Sequence, residues 1–174
     1  LITNNIIRQL TALAHGKLWW GGLIVLGISM IGIALYYQYA LNEWPCVLCI
    51  HVRILFLLII VVSVLALLLF RFRKIHALMH LVVAVIFAAM ANRGWVLLGT
   101  ERGWIEGECS VDVGMPGWFA IDKWLPDIFS AWTSCGYTPE IVLGITMAEI
   151  ILALSLLFLI SSLILFLFAL RKPV

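Results

Sequence analysis

The chain has 174 residues, of which 64% are apolar and only 11% charged, with a mean hydropathy of +1.14. Soluble domains run to roughly 45–50% apolar and about 25% charged, so a chain this short must turn part of its apolar surface to lipid, which excludes a cytosolic enzyme and a disordered regulator. A formal net charge of +2 leaves no electrostatic footprint for nucleic acid, and four cysteines are too few for a disulfide-dense scaffold yet enough for redox or metal chemistry.

Residues Leu1 to His15 place Ile2, Ile6, Leu10 and Leu13 on one helical stripe, which fits a helix lying in the membrane interface and fits a frayed terminus equally well. A spanning helix needs about 20 mostly apolar residues, and four stretches qualify. They run over about 18–39, 45–70, 75–98 and 139–168. Trp19 and Trp20 flank the first at one end and Tyr36, Tyr37 and Tyr39 at the other, where interfacial aromatic belts belong. The apolar core of the first span is too long for a cleavable signal, and no small-residue cleavage site follows it. Pro45 and Pro139 suit the first turn of the second and fourth helices, where the missing N–H is not needed. Between spans three and four, over 99–138, lies a long loop. Its stretch Gly117 to Trp132 sets Trp118, Ile121, Leu125 and Trp132 at roughly helical spacing, broken by Pro126; a short interfacial helix and plain loop packing are the two readings. The expected fold is all-α and integral to the membrane. It is a single unit over residues 1–174, a four-transmembrane-helix bundle whose long periplasmic loop carries a short interfacial helix.

Charge orients the bundle. Arg8, Lys17, Arg71, Arg73, Lys74, Arg171 and Lys172, seven of the eleven basic residues, fall on one side of the four spans. By the positive-inside rule that side is cytoplasmic, as are both termini. The acids Glu43, Glu101, Glu106, Glu108, Asp112, Asp122, Asp127 and Glu140 gather on the other side. A cysteine introduced at Lys74 is therefore expected to be shielded from an impermeant thiol reagent applied outside, and one at Gly114 to be labelled. Labelling at Lys74 would invert the bundle and put the native cysteines in a reducing compartment.

All four cysteines fall on the non-cytoplasmic side, where disulfides persist. Cys109 and Cys135 lie in the long loop, where a disulfide between them would be a staple worth roughly 3–4 kcal/mol. Cys46 and Cys49, in Pro45-Cys-Val-Leu-Cys, are different. Three residues apart on a helix puts both sulfurs on one face, at an N-terminus whose dipole favours a thiolate, and closing so short a ring gains little as a staple. Zinc held by all four cysteines is the metal alternative, but Cys109 and Cys135 lack the spacing of a second Cys-x-x-Cys; Ile50 after Cys49 argues against covalent haem attachment. Redox chemistry is the reading that remains.

Arg53 follows Cys49 by four residues, on the same face and about 6 Å deeper. An arginine just inside a span is costly and marks a functional site by default, with snorkelling to lipid phosphates as the alternative. Its functional reading is a cation that stabilises a Cys49 thiolate and the oxygen of a reducible acceptor, and a lipid-soluble quinone can reach such a place from within the bilayer. Arg93 at the outer end of span three either borders that site or snorkels. Glu149 is expected about ten residues, roughly 15 Å, into span four, near mid-bilayer. His76 and His80 are expected at the interface.

The run Pro45-Cys46-Val47-Leu48-Cys49-Ile50 with Arg53, then Arg93-Gly94, then Trp118-Phe119-Ala120-Ile121-Asp122-Lys123-Trp124-Leu125-Pro126 between Cys109 and Cys135, resembles the disulfide bond formation protein B (DsbB) family. Two departures are Val52 before Arg53, where many members carry glutamate, and Glu101-Arg102 in the region of an expected histidine. The resemblance spans nearly the whole chain. It implies a thiol oxidase of the bacterial inner membrane that reoxidises a periplasmic thioredoxin-fold oxidant of the DsbA type and passes the electrons to ubiquinone or menaquinone. On that resemblance the quinone-linked cysteines are Cys46 and Cys49, the partner-facing cysteines Cys109 and Cys135, and the quinone arginine Arg53. A specialised, DsbI-like member with a dedicated partner fits as well. The rivals are a vitamin K epoxide reductase-like enzyme, in which the active Cys-x-x-Cys comes late in the chain, and a non-enzymatic membrane scaffold with structural disulfides.

Overall fold

A computed structural model describes residues 9, 11–14, 16–69, 73–106, 112–142 and 144–170. In chain order the elements are α1 (Lys17–Ala40), α2 (Val47–Leu68), α3 (Arg73–Glu101), a single 3-10 turn (Gly117–Phe119), α4 (Ile121–Trp124), α5 (Pro126–Phe129), an antiparallel hairpin of β1 (Glu140–Val142) and β2 (Ile145–Thr146), and α6 (Met147–Leu170). Four of these helices, α1, α2, α3 and α6, are long and apolar enough to cross a membrane. The fold is a four-helix membrane bundle with two short helices in its long loop.

The bundle is built by seams of small and apolar residues at three- and four-residue spacing. On α2 the seam is Val52, Phe56, Ile59, Ser63 and Ala66; on α6 it is Ala148, Ile151, Ser155, Ser162, Leu165 and Ala169. Lipid gives helices no hydrophobic reason to associate, so close backbone approach at small residues carries the packing. A Cβ on Gly94 of α3 would sit 3.3 Å from the Leu152 backbone, and one on Gly27 of α1 only 2.7 Å from Ile60 Cγ1. Outer faces carry exposed Val25, Ile28, Val61, Val85, Leu157 and Ile160, as lipid contact requires. α1 packs on α2, α2 on α3, and α3 on α6, while the backbones of α1 and α6 scarcely approach one another. That fourth side is closed near one end by the Trp19 and Phe158 rings, 5.9 Å apart. At the other end it is hollow.

Several local expectations shift. Pro45 lies just outside α2, because extended Cys46 takes the N-cap. The fourth spanning helix starts at Met147 instead of near Pro139: Gly144, at φ +81°, turns the β1–β2 hairpin first. Glu149 is therefore in the first turn of α6 and not at mid-bilayer. Its Oε2 accepts from the Thr146 backbone N–H at 3.2 Å while Thr146 Oγ1 accepts from the Glu149 N–H at 3.5 Å. That is a capping box, and Arg102 completes it with an ion pair to Glu149 at 2.5 Å. In the loop, Ile121 is buried while Trp118, Leu125 and Trp132 are exposed, so the four do not form one stripe. His76 and His80 are buried inside the end of the bundle: Trp20 Nε1 donates to His76 Nδ1 at 3.3 Å, and His80 Nε2 lies 3.0 Å from the Ala14 carbonyl. Of the amphipathic stripe, Ile2, Ile6 and Leu10 lie outside the described residues.

Candidate functional site

Three of the four cysteines occupy one end of the bundle. Cys46 caps α2 with its sulfur, which accepts from the Cys49 N–H at 3.4 Å and lies 2.9 Å from Cys49 Sγ. The helix geometry alone produces this contact, because an N-cap residue and the third residue of the first turn face each other.

Cys135 arrives from the other end of the sequence. The Trp132 N–H donates to the Pro45 carbonyl at 2.9 Å, Thr133 Oγ1 donates to the Trp44 carbonyl at 3.1 Å, and Cys46 pairs with Thr133 in a parallel bridge. The Trp44 and Trp132 rings lie 5.8 Å apart over this join. Beneath it, Phe129, Ala131 and Cys135 pack into a core with Val47, Leu48, Ile50, Ile54 and Leu97. The result buries Cys135 in one cluster with Cys46. The Cys135 thiol, then that of Cys49, then burial, push the Cys46 thiol up from its ordinary range. Cys46 is thus the middle sulfur of the three. A sulfur flanked by two others can exchange one disulfide partner for the other through thiolate attack.

Beside these sulfurs lies a cavity of about 480 Å³. Met30 and Ala34 of α1, Phe56 of α2 and Ile150 and Met147 of α6 form its apolar walls, and Cys46, Cys49 and Arg53 face it. It lies between α1 and α6, the pair of helices whose backbones scarcely meet. A mostly apolar cavity with a few convergent polar groups is the usual form of a small-molecule site.

Arg53 is 5% exposed, so it does not snorkel. Its Nη1 donates to Gln38 Oε1 at 2.7 Å and to the Ile128 carbonyl at 2.8 Å, and its Nη2 donates to the Ala34 carbonyl at 3.2 Å. Among the described residues no carboxylate pairs with Arg53; a buried cation so placed is expensive, and these three acceptors offset part of that cost. Gln38 is the residue that sequence reasoning missed. One glutamine near the end of an apolar span reads as an interface residue; the available signal was its presence inside the run at all.

The structure thus brings Cys46, Cys49 and Arg53 together around one cavity, with Cys135 buried in the same core as Cys46. Cys109 lies outside the described residues. Arg93 is exposed on α3 and takes no part in lining the cavity.

The family profile of the disulfide bond formation protein DsbB matches residues 16–165. The disulfide bond formation protein B of Shewanella frigidimarina is 29% identical over 149 residues, covering 82% of this chain and 85% of the relative. Disulfide bond formation protein B 2 of Pseudomonas aeruginosa is 28% identical over 140 residues, covering 79% and 83%.

Proposed function

Since the chain belongs to the DsbB family of membrane disulfide bond formation proteins, we propose that it is a quinone-dependent thiol oxidase. It recharges a DsbA-like thioredoxin-fold oxidant outside the bacterial inner membrane. The observation that carries this reading is the position of Cys46, 2.9 Å from Cys49 Sγ and buried in one cluster with Cys135, with a cavity and a buried arginine beside Cys49.

In the oxidised enzyme Cys46 is bonded to Cys49 and Cys109 to Cys135. The partner's thiolate attacks Cys109, in the polar stretch Glu106-Gly107-Glu108-Cys109-Ser110, and Cys135 leaves as the thiolate. Cys135 then attacks Cys46, which displaces Cys49. The partner's second thiol resolves its mixed disulfide and departs oxidised. Cys109 next attacks Cys135, restoring the loop disulfide and freeing Cys46. Cys46 and Cys49 give two electrons to the acceptor, re-form their disulfide, and the acceptor takes up two protons as quinol. Ubiquinone and menaquinone both suit a cavity reached from the bilayer, and the sparse α1–α6 contact supports access from that side.

Arg53, at the cavity, has the charge and the donors to hold an acceptor oxygen next to Cys49. The long loop supplies the partner-facing pair, and the exposed Trp118, Trp124 and Leu125 support a loop resting on the membrane surface.

Trapping tests the partner-facing role. With Cys135→Ser no native resolving thiol remains in the loop. A single-cysteine partner, carried as its mixed disulfide with an aromatic thiol, should then lose that thiol to Cys109 and accumulate as a stable adduct. Release of the coloured thiol and peptide mapping report it. An adduct that forms equally well in Cys109→Ser would remove Cys109 from this role.

A further inference from the structure

Arg53 is secured at one end. Its Nη1 is occupied by Gln38 Oε1 and the Ile128 carbonyl, and its Nη2 makes one bond to the Ala34 carbonyl. Its Nε is buried and has no hydrogen-bond partner among the described residues, although the side chain lines the cavity. A guanidinium carries five donors in a rigid fork, so fixing the Nη1 end fixes the plane of the whole group beside the cavity.

Gln38 spends its amide in two directions. It is 2% exposed; its Oε1 accepts from Arg53, and its Nε2 donates to the Asp127 carbonyl at 2.8 Å. The Tyr39 hydroxyl donates to the same carbonyl at 2.6 Å. Asp127 and Ile128 belong to α5, in the stretch of chain that runs on to Trp132, Thr133 and Cys135. A buried amide is tolerated only when its groups are paired. Here one is paired with the arginine and the other with the loop.

We propose that Gln38 is a positioning residue for quinone reduction: with the Ile128 carbonyl it holds the Nη1 end of Arg53, and so keeps the guanidinium at the cavity wall for an acceptor oxygen. The inference rests on the quinone reading above. It also joins two events. The stretch that seats Cys135 against Cys46 is the stretch that fixes Arg53, so the cavity is organised for the acceptor while the loop is docked. When the loop lifts, the Ile128 and Asp127 carbonyls go with it, and Arg53 and Gln38 lose that half of their support.

The test uses the purified full-length chain, a short-tailed ubiquinone analogue and a reduced thioredoxin-fold partner. Gln38→Leu keeps the bulk of the side chain and removes both hydrogen bonds. It should raise the KM for quinone roughly tenfold, as loss of a hydrogen bond to a charged group does, with a much smaller change in kcat. The oxidation of one equivalent of partner without quinone should be unchanged. In an Arg53→Ala background Gln38→Leu should add nothing, because a residue acting through Arg53 has no effect once Arg53 is gone. If Gln38→Leu does not fold, Gln38→Met takes its place. A KM that stays at the wild-type value in Gln38→Leu while Arg53→Ala raises it overturns the proposal alone, as do additive effects in the double variant. A KM unmoved by Arg53→Ala removes the quinone reading, and the proposal falls with it.

Discussion

Cys46→Ala is expected to stop turnover while leaving one round of thiol oxidation intact. Cys46 is the middle sulfur of the proposed relay, 2.9 Å from Cys49 Sγ and buried in one cluster with Cys135, so every electron pair leaving the loop passes through it. Without it the loop disulfide still oxidises one equivalent of reduced partner, and there the reaction ends. The steady-state rate should fall by about three orders of magnitude or more, as it does when one member of an interdependent catalytic set is removed. Adding Cys135→Ser should cost nothing further in steady-state rate, although it abolishes the single-equivalent burst. Quenched-flow counting of partner disulfides per enzyme separates the two variants. Sustained turnover in Cys46→Ala would mean that electrons bypass the cysteine end of α2 altogether.

The second large effect is expected at Arg53. Arg53→Ala removes the positive charge beside the cavity and leaves Gln38 Oε1 and the Ile128 carbonyl without their donor. The loss of one charge-assisted hydrogen bond to the acceptor, about 1.5–3 kcal/mol, corresponds to a rise of roughly ten- to hundredfold in the KM for quinone. Thiol exchange with the partner should persist, because in the proposed relay it takes place on the loop pair and not at the cavity that Arg53 lines. Arg53→Lys should recover part of the loss, since it keeps the charge but not the planar fork that serves two acceptors at once. An unchanged KM in Arg53→Ala would separate Arg53 from the acceptor.

What the sequence disclosed here follows the range of the interactions involved. The spans were legible because lipid contact demands about 20 apolar residues in a row. The placing of Cys46, Cys49 and Arg53 on one face was legible because helix geometry fixes spacings of three and four. The approach of Cys135 was not, because it depends on Trp132 and Thr133 pairing with Pro45 and Cys46 across nearly ninety residues of chain. The role of Gln38 was hidden for the same reason: its partners lie on α2 and in the loop, and nothing local points to them. The start of α6 was misplaced although its signal is local. Thr146-x-x-Glu149 has the form of a capping box and Gly144 marks a turn before it, whereas Pro139 drew the helix start too early. Once the box is recognised, Glu149 ceases to be an intramembrane acid and becomes a cap paired with Arg102.

The central claim is that electrons from a protein dithiol leave through Cys46 and Cys49 to a quinone. The most direct measurement mixes purified protein, oxidised ubiquinone analogue and excess reduced thioredoxin-fold oxidant, and follows quinone absorbance while partner thiols are counted. One quinone should disappear for each partner disulfide formed, and both should stop in Cys49→Ser. Partner disulfides that accumulate with no loss of quinone absorbance would contradict the account.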